Sequence, residues 1–290
     1  EPGVNVLGAV LGYFGARMVA RAGRDGAQVD RIDRPWGEAF DPDEIKAALG
    51  QKKSKLLALV HAETATGVLQ PGIAEIAAAA HDNGALLVMD TVTSLGGMPV
   101  EIDAWGVDVA FSGTQKSMSA PPGLAPLTIS PRAREVLRNR SVPVGNWYLD
   151  LSLLEKYWGS ERTYHHTAPI NSNYALREAL RMVAEEGLEE RFARHRSNAE
   201  VLWAGLEDLD ISLLVPEENR LTTLTTAVIP PGVDDLGLRK TLLNEFNLEI
   251  AGGFGPLVGQ IWRIGLMGYS SRLENVMLLL ASLREVLKKR

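Results

Sequence analysis

The chain contains no cysteine, which removes disulfides, zinc–thiolate sites and cysteine nucleophiles at once. It also lacks any apolar run approaching the roughly 20 residues that a membrane-spanning helix needs; the longest extends from Val6 to Ala16. Positive charge is not in surplus. Thirty Lys and Arg against 36 Asp and Glu give a formal net charge of −6, which argues against a general surface for nucleic acid or anionic lipid. Any bound anion must therefore be gripped locally. No G-x-x-x-x-G-K-[ST] or G-x-S-x-G segment occurs, so P-loop and nucleophile-elbow chemistry are excluded. His61-Ala62-Glu63 copies the H-x-E of zinc deaminases, yet the C-x-x-C that completes that site cannot exist here. The side chains of His165 and His166 are expected to diverge along the backbone, so they share no ion and no metal is expected.

What the chain does have is core material: 46% of its 290 residues are hydrophobic, an ordinary globular proportion. Short, fully apolar runs (VNVLGAVL, KLLALVH, ALLVMD, VDVAFS, APLTIS) alternate with amphipathic helical patterns near residues 15–26, 42–49 and 73–83. Strands without polar alternation, separated by helices, predict an α/β fold with a mainly parallel sheet covered on both faces. From Asn171 the texture becomes long helical periodicity with a single interior glycine, Gly187, predicted to be a kink or a boundary between two helices. Short strands and helices follow, ending in a helix from about Ser271. This predicts a large domain over 1–186 and a smaller α+β domain over 187–290. The stretch GGFGPLVG (252–259) departs from G-x-G-x-x-G and reads as a turn. The absent thiols and membrane spans are compatible with a cytoplasmic location, with a peroxisome or other organelle left open.

In an open parallel sheet, ligands sit outside the carboxyl ends of the strands. His61, Glu63 and Thr64 follow one apolar run, Asp90 ends the next, and Lys116 follows a third, so these groups are expected to converge. Alone, an Asp at a strand end is usually a cap and a Lys in a turn is usually solvated. Together, an acid and an amine at neighbouring strand ends suggest a Schiff-base site, because a partly desolvated lysine loses its proton more readily and attacks carbonyls. Pyridoxal phosphate suits both groups, its aldehyde reaching Lys116 and its ring nitrogen held protonated by Asp90.

Four blocks then carry a resemblance: HAETATGVLQP, LLVMDTVTSLGGMPVEIDAWGVDVAFSGTQKSMSAPPGLAPL, TYHHTAPINSNYALREAL and IWRIGLMG. They are similar, in order and over nearly the whole chain, to class V, fold-type I pyridoxal-phosphate aminotransferases of the alanine:glyoxylate and serine:pyruvate (or serine:glyoxylate) group. The resemblance implies that Lys116 carries the cofactor and, once released by substrate, moves the proton at the substrate's α-carbon, while Asp90 pairs with the pyridine nitrogen. It implies further that Phe14 stacks on the ring, Val92 packs on the opposite face, Thr64 lies beside the cofactor and Gln115 contacts its phosphate. Tyr164 and Thr167 would reach the phosphate bound by a neighbouring subunit, making a homodimer part of the site. Arg263 would bind the substrate carboxylate, which its planar fork suits.

The chain opens on Glu1-Pro2-Gly3, downstream of the place where relatives carry a Ser-Gly-His type segment whose helix N-terminus cradles the phosphate. An upstream part is therefore expected. The expected activity is transfer of an amino group from alanine or serine to glyoxylate or pyruvate by a ping-pong mechanism. Aminoethylphosphonate or ureidoglycine transamination, and a catalytically impaired fragment acting in binding or assembly, are the alternatives.

Overall fold

The computed structural model describes residues 2–288. The chain runs β1 (Asn5–Val10), α1 (Tyr13–Arg24), β2 (Gln28–Asp33), α2 (Pro42–Gln51), β3 (Leu56–Val60), a small hairpin of β4 (Ala62–Glu63) and β5 (Val68–Leu69), α3 (Ile73–Asn83), β6 (Leu86–Asp90), β7 (Val109–Phe111) and β8 (Leu127–Ile129). These build a six-stranded sheet in the order β2-β1-β3-β6-β7-β8. Every pairing is parallel except that of β7 with the edge strand β8. The mainly parallel α/β architecture expected from the apolar runs is thus present. Strands β1 and β3 are buried along almost their whole length, as sheets covered on both faces require.

Local chemistry fixes the helix ends. Asp41 and Glu44 form a reciprocal capping box at the start of α2, with Pro42 in the first turn. Gly84 closes α3 in the left-handed conformation, φ 83°. The one acid within the VDVAFS run, Asp108, is 2% exposed and fully paired. It accepts from Leu87 N–H at 3.0 Å and Ser130 Oγ at 2.9 Å, and lies 2.9 Å from His81 Nε2, so a polar residue can open a buried strand.

Beyond β8 come two helices absent from the sequence expectation, α4 (Pro131–Arg138) and α5 (Leu151–Trp158). Each is eight residues long and buries a single residue, Ala133 and Leu154 respectively, so the apolar spacing each carries spans barely two turns. Then follow α6 (Ile170–Glu186), α7 (Leu188–Glu207), β9 (Leu224–Val228), α8 (Asp235–Phe246), β10 (Ala251–Gly252), β11 (Ile261–Gly265) and α9 (Leu273–Lys288). Gly187 is a boundary: at φ 82° and ψ 146° it leaves the helical region between α6 and α7. Strands β10-β11-β9 form an antiparallel sheet. A second apolar core gathers around it, with Leu202 and Leu206 of α7, Leu238 and Leu242 of α8, Trp262 and α9. Thr226 of β9 donates its hydroxyl to the Thr66 carbonyl at 2.9 Å, fastening this sheet to the loop after β4.

Candidate active site

Sheet register decides which side chains meet. Val60 lies beside Asp90 and Asp90 beside Phe111, so the segments leaving β3, β6 and β7 emerge side by side. His61 N–H donates to the Asp90 carbonyl at 3.0 Å and Thr91 N–H to the Phe111 carbonyl at 2.9 Å, extending that order past the strands.

The segment leaving β7 is a folded turn. Ala120 N–H donates to Thr114 O at 3.0 Å and Ser119 N–H to Lys116 O at 2.9 Å, with Ser119 in the left-handed region at φ 61°. The Thr114 hydroxyl donates to the carbonyl of Pro121 at 2.7 Å, so the prolines close the turn that carries Lys116. Lys116 is half-buried. Burial, and then the positive field of Arg263, hold its amine below the ordinary lysine range, with Asp90 opposing them. Across from it Asp90 is 7% exposed, and its Oδ1 accepts from Val92 N–H at 2.8 Å. Burial raises its carboxyl above the ordinary range, while the Val92 N–H, Arg17 and Lys116 pull it back. The amine and acid thus feel one another, as their strand-end positions imply.

Strand order reverses between β1 and β3, the place where open α/β sheets form their binding cleft. There Glu63, 0% exposed, reaches across to α1. Its carboxylate accepts from Phe14 N–H at 3.1 Å, Gly15 N–H at 3.0 Å and Ala65 N–H at 3.0 Å. It caps a helix that begins 50 residues earlier in the chain and so fixes Phe14. Burial raises the Glu63 carboxyl, the three N–H groups lower it, and Asp90 adds to the rise. Sequence reading places Glu63 at a strand end but gives it no role. The available signal was Gly12, where a Cβ would press on the Glu63 side chain.

Phe14 is edge-on to Phe254, with ring centroids 5.9 Å apart, and the Arg17 guanidinium lies 4.7 Å from its centre. Arg263 of β11 donates Nε–H to the Gly252 carbonyl at 2.7 Å and Nη1–H to the Thr64 carbonyl at 3.3 Å, and lies 4.1 Å over the Phe254 ring. Burial lowers it and Glu63 raises it. Arg263 carries no salt bridge among the described residues, so its guanidinium lacks a resident carboxylate partner. Thr64 is buried with its hydroxyl on that of Thr93. Val92 is half-buried, and Gln115 is exposed beside Gly113. The structure therefore gathers Lys116, Asp90, Phe14, Thr64, Val92 and Arg263 about the ends of β3, β6 and β11.

Tyr164 and Thr167 are placed differently. They bond to one another, hydroxyl to hydroxyl at 3.2 Å, on an exposed segment between α5 and α6. Tyr164 is 73% exposed. The neighbouring histidines do not diverge as expected: the Nδ1 atoms of His165 and His166 are 2.9 Å apart and Trp147 stacks on His165 at 4.2 Å. The segment curls around Trp147, and that packing overrides the separation expected of neighbouring residues.

A family model for class-V aminotransferases matches residues 2–272. The chain belongs to that family. Among its relatives, the (S)-ureidoglycine–glyoxylate transaminase of Bacillus subtilis is 40% identical, over 99% of this chain and 73% of its own length. The alanine–glyoxylate aminotransferase of Rattus norvegicus is 38% identical, over 99% and 70%. The crystal structure of an alanine–glyoxylate aminotransferase from Nostoc sp. superposes with a TM-score of 0.96 at 54% identity, covering 99% of this chain and 76% of that one. As a class-V aminotransferase this chain is an enzyme of the fold-type I architecture, and the family is one of pyridoxal-phosphate enzymes. No helix among the described residues is long and apolar enough to cross a membrane.

Proposed function

We propose that this aminotransferase binds pyridoxal phosphate and moves an amino group from alanine or serine to glyoxylate or pyruvate in two half-reactions. The carrying observation is that Asp90, a buried carboxylate with one oxygen engaged by a backbone N–H, and Lys116, a half-buried amine, leave the paired strands β6 and β7 near enough for each charge to act on the other. This donor set fits an aldehyde at one end and a protonated ring nitrogen at the other. When bound, the cofactor supplies the carbonyl that accepts and returns the amino group and the ring that withdraws electrons from the substrate's α-carbon.

The residues divide the remaining work. Lys116 would hold the cofactor through its amine and, once freed by substrate, would carry the proton on and off the substrate's α-carbon. Asp90 would hold a proton on the ring nitrogen, and Phe14 and Val92 would contact the ring's two faces. Thr64 would line the cofactor's site and Gln115 would offer its amide to the phosphate. Arg263 offers N–H donors to the substrate carboxylate and so sets which face of the α-carbon meets Lys116. Replacing Arg263 by Ala is expected to raise KM for every α-amino acid donor roughly 10- to 100-fold, the ~1.5–3 kcal/mol of hydrogen bonds to a charged group. An unchanged KM removes Arg263 from this role.

Tyr164 and Thr167 are assigned to the phosphate bound by a second copy of the chain in a homodimer. The exposed aromatics around them, Trp147 at 59%, Trp158 at 63% and Tyr174 at 66%, support burial of this face against a partner. The division into 1–186 and 187–290 is supported by the two apolar cores and by the break at Gly187.

Glyoxylate appears in the names of both the Bacillus subtilis and Rattus norvegicus relatives, which favours it as acceptor. Higher identity to the Nostoc sp. alanine–glyoxylate protein favours alanine over ureidoglycine as donor. A panel of alanine, serine, (S)-ureidoglycine and aminoethylphosphonate with glyoxylate and pyruvate tests this. Alanine or serine with glyoxylate is expected to be fastest, and a clear preference for either of the other donors overturns the assignment.

A further inference from the structure

We propose that Arg191 of α7 is a positioning residue for Lys116, gripping the peptide that follows the lysine and tying it to the loop that follows Asp90. The inference rests on the reading of Lys116 as the amine that carries the cofactor.

Arg191 is 4% exposed, and three of its nitrogens are spent. Nη2–H donates to the Ser117 carbonyl at 2.6 Å, Nε–H to the Gly96 carbonyl at 2.8 Å, and Nη1 pairs with Glu186 at 2.6 Å. Ser117 is the next residue after Lys116, and it is fully buried. Gly96 lies in the loop that continues from Asp90. One planar guanidinium thus spans the two loops on which the amine and the acid depend. A lysine ammonium at that position could satisfy fewer of these acceptors at fixed angles.

The same turn of α7 holds this region from a second side. His195 lies with Nδ1 at 2.7 Å from the Arg191 carbonyl, and its Nε2 accepts from Gly268 N–H at 2.9 Å. Tyr269 N–H in turn donates to Ser119 Oγ at 2.7 Å, within the lysine turn. Gly268 has φ +60°, and a Cβ there would overlap both Ser119 Oγ and the Ser117 carbonyl. Lys116 therefore stands on a turn clasped by Arg191 beneath and by the Gly268–Tyr269 backbone alongside. A buried arginine is costly unless fully paired, and here two of its partners are carbonyls of the site's own loops.

Arg191→Gln and Arg191→Lys in the full chain test the proposal. The first readout needs no cofactor: the pH profile of Lys116 acylation in the cofactor-free protein, followed by mass spectrometry of the Lys116 peptide. Arg263 and Asp90 are the charged groups that act on Lys116. A loosened turn lets the amine leave Arg263 and enter water, so its titration in Arg191→Gln is expected to move up toward that of an ordinary lysine. The second readout is the kinetic split: kcat is expected to fall about 10- to 100-fold, the cost of a misplacement near 1 Å, with KM changed less than about twofold if substrate binding is untouched. Arg191→Lys should recover part of both. Folded variants that acylate and turn over like the parent overturn the proposal, and so does loss of the folded state in both, which would make Arg191 a folding residue only. Failure of the underlying reading looks different: borohydride reduction of the parent protein with pyridoxal phosphate would leave no cofactor on the Lys116 peptide, whatever the variants do.

Discussion

Lys116→Ala is expected to lower transamination by ~10⁴-fold or more, the upper end of what one positioned proton-transfer group contributes, because on the proposed reading the same amine would serve for covalent attachment and for moving the α-proton. Burial and Arg263 depress the Lys116 amine while Asp90 supports its charge, so a larger neutral fraction is present near neutral pH than for a solvated lysine. Alanine leaves nothing to attack the aldehyde. After borohydride reduction the parent protein should retain cofactor on the peptide containing Lys116, and the variant should retain none. An alanine variant with more than about a hundredth of parental kcat would show that another group transfers the proton. Because the Lys116 turn is held by backbone bonds and by Arg191, Thr114 and Ser119, none of which the substitution removes, the variant should unfold at nearly the parental temperature.

Asp90→Ala is the second large loss, ~10²- to 10³-fold in kcat, the range for removing one preorganised electrostatic partner of the reacting system. Asp90 is buried and takes one backbone N–H, so its charge acts through a poorly screened path. On the proposed reading Asp90 would hold a proton on the cofactor's ring nitrogen, and its loss would weaken the electron withdrawal the cofactor supplies to the substrate's α-carbon. Asp90→Asn should be nearly as slow as Asp90→Ala, since the amide offers no charge to hold a proton there. Full activity of Asp90→Asn would assign the residue to packing. Visible absorbance during reconstitution separates loss of cofactor from loss of rate.

The elements that surround this site were readable because they are extreme. KLLALVH and ALLVMD are apolar throughout, and such runs have few places to go except the middle of a parallel sheet. Asp90 stood out as the acid that ends ALLVMD, and Lys116 as the cation in the turn that follows VDVAFS. Surface helices α4 and α5 are eight residues each, so their apolar spacing spans barely two turns, too short a repeat to tell a helix from a loop. Glu63 and Arg191 escaped for a different reason. Their partners are backbone atoms, the Phe14 amide 49 residues away and the Ser117 carbonyl 74 residues away, and a side chain that bonds to backbone imposes no residue type on its partner. His195 is similarly hidden: buried, pushed down to about 4 mainly by desolvation, and engaged with the Arg191 carbonyl and the Gly268 amide.

The cap that Glu63 places on α1 has a consequence for how a zwitterionic amino acid enters. Two of the first three N–H groups of that helix, those of Phe14 and Gly15, already face a resident carboxylate, so an end that would ordinarily attract anions is occupied by one. With Glu63 fully buried against those N–H groups, that helix end has little field left for a substrate carboxylate, which on the proposed reading would turn to the guanidinium of Arg263 instead. On that reading, substrate polarity would be set by closing the wrong end as much as by opening the right one.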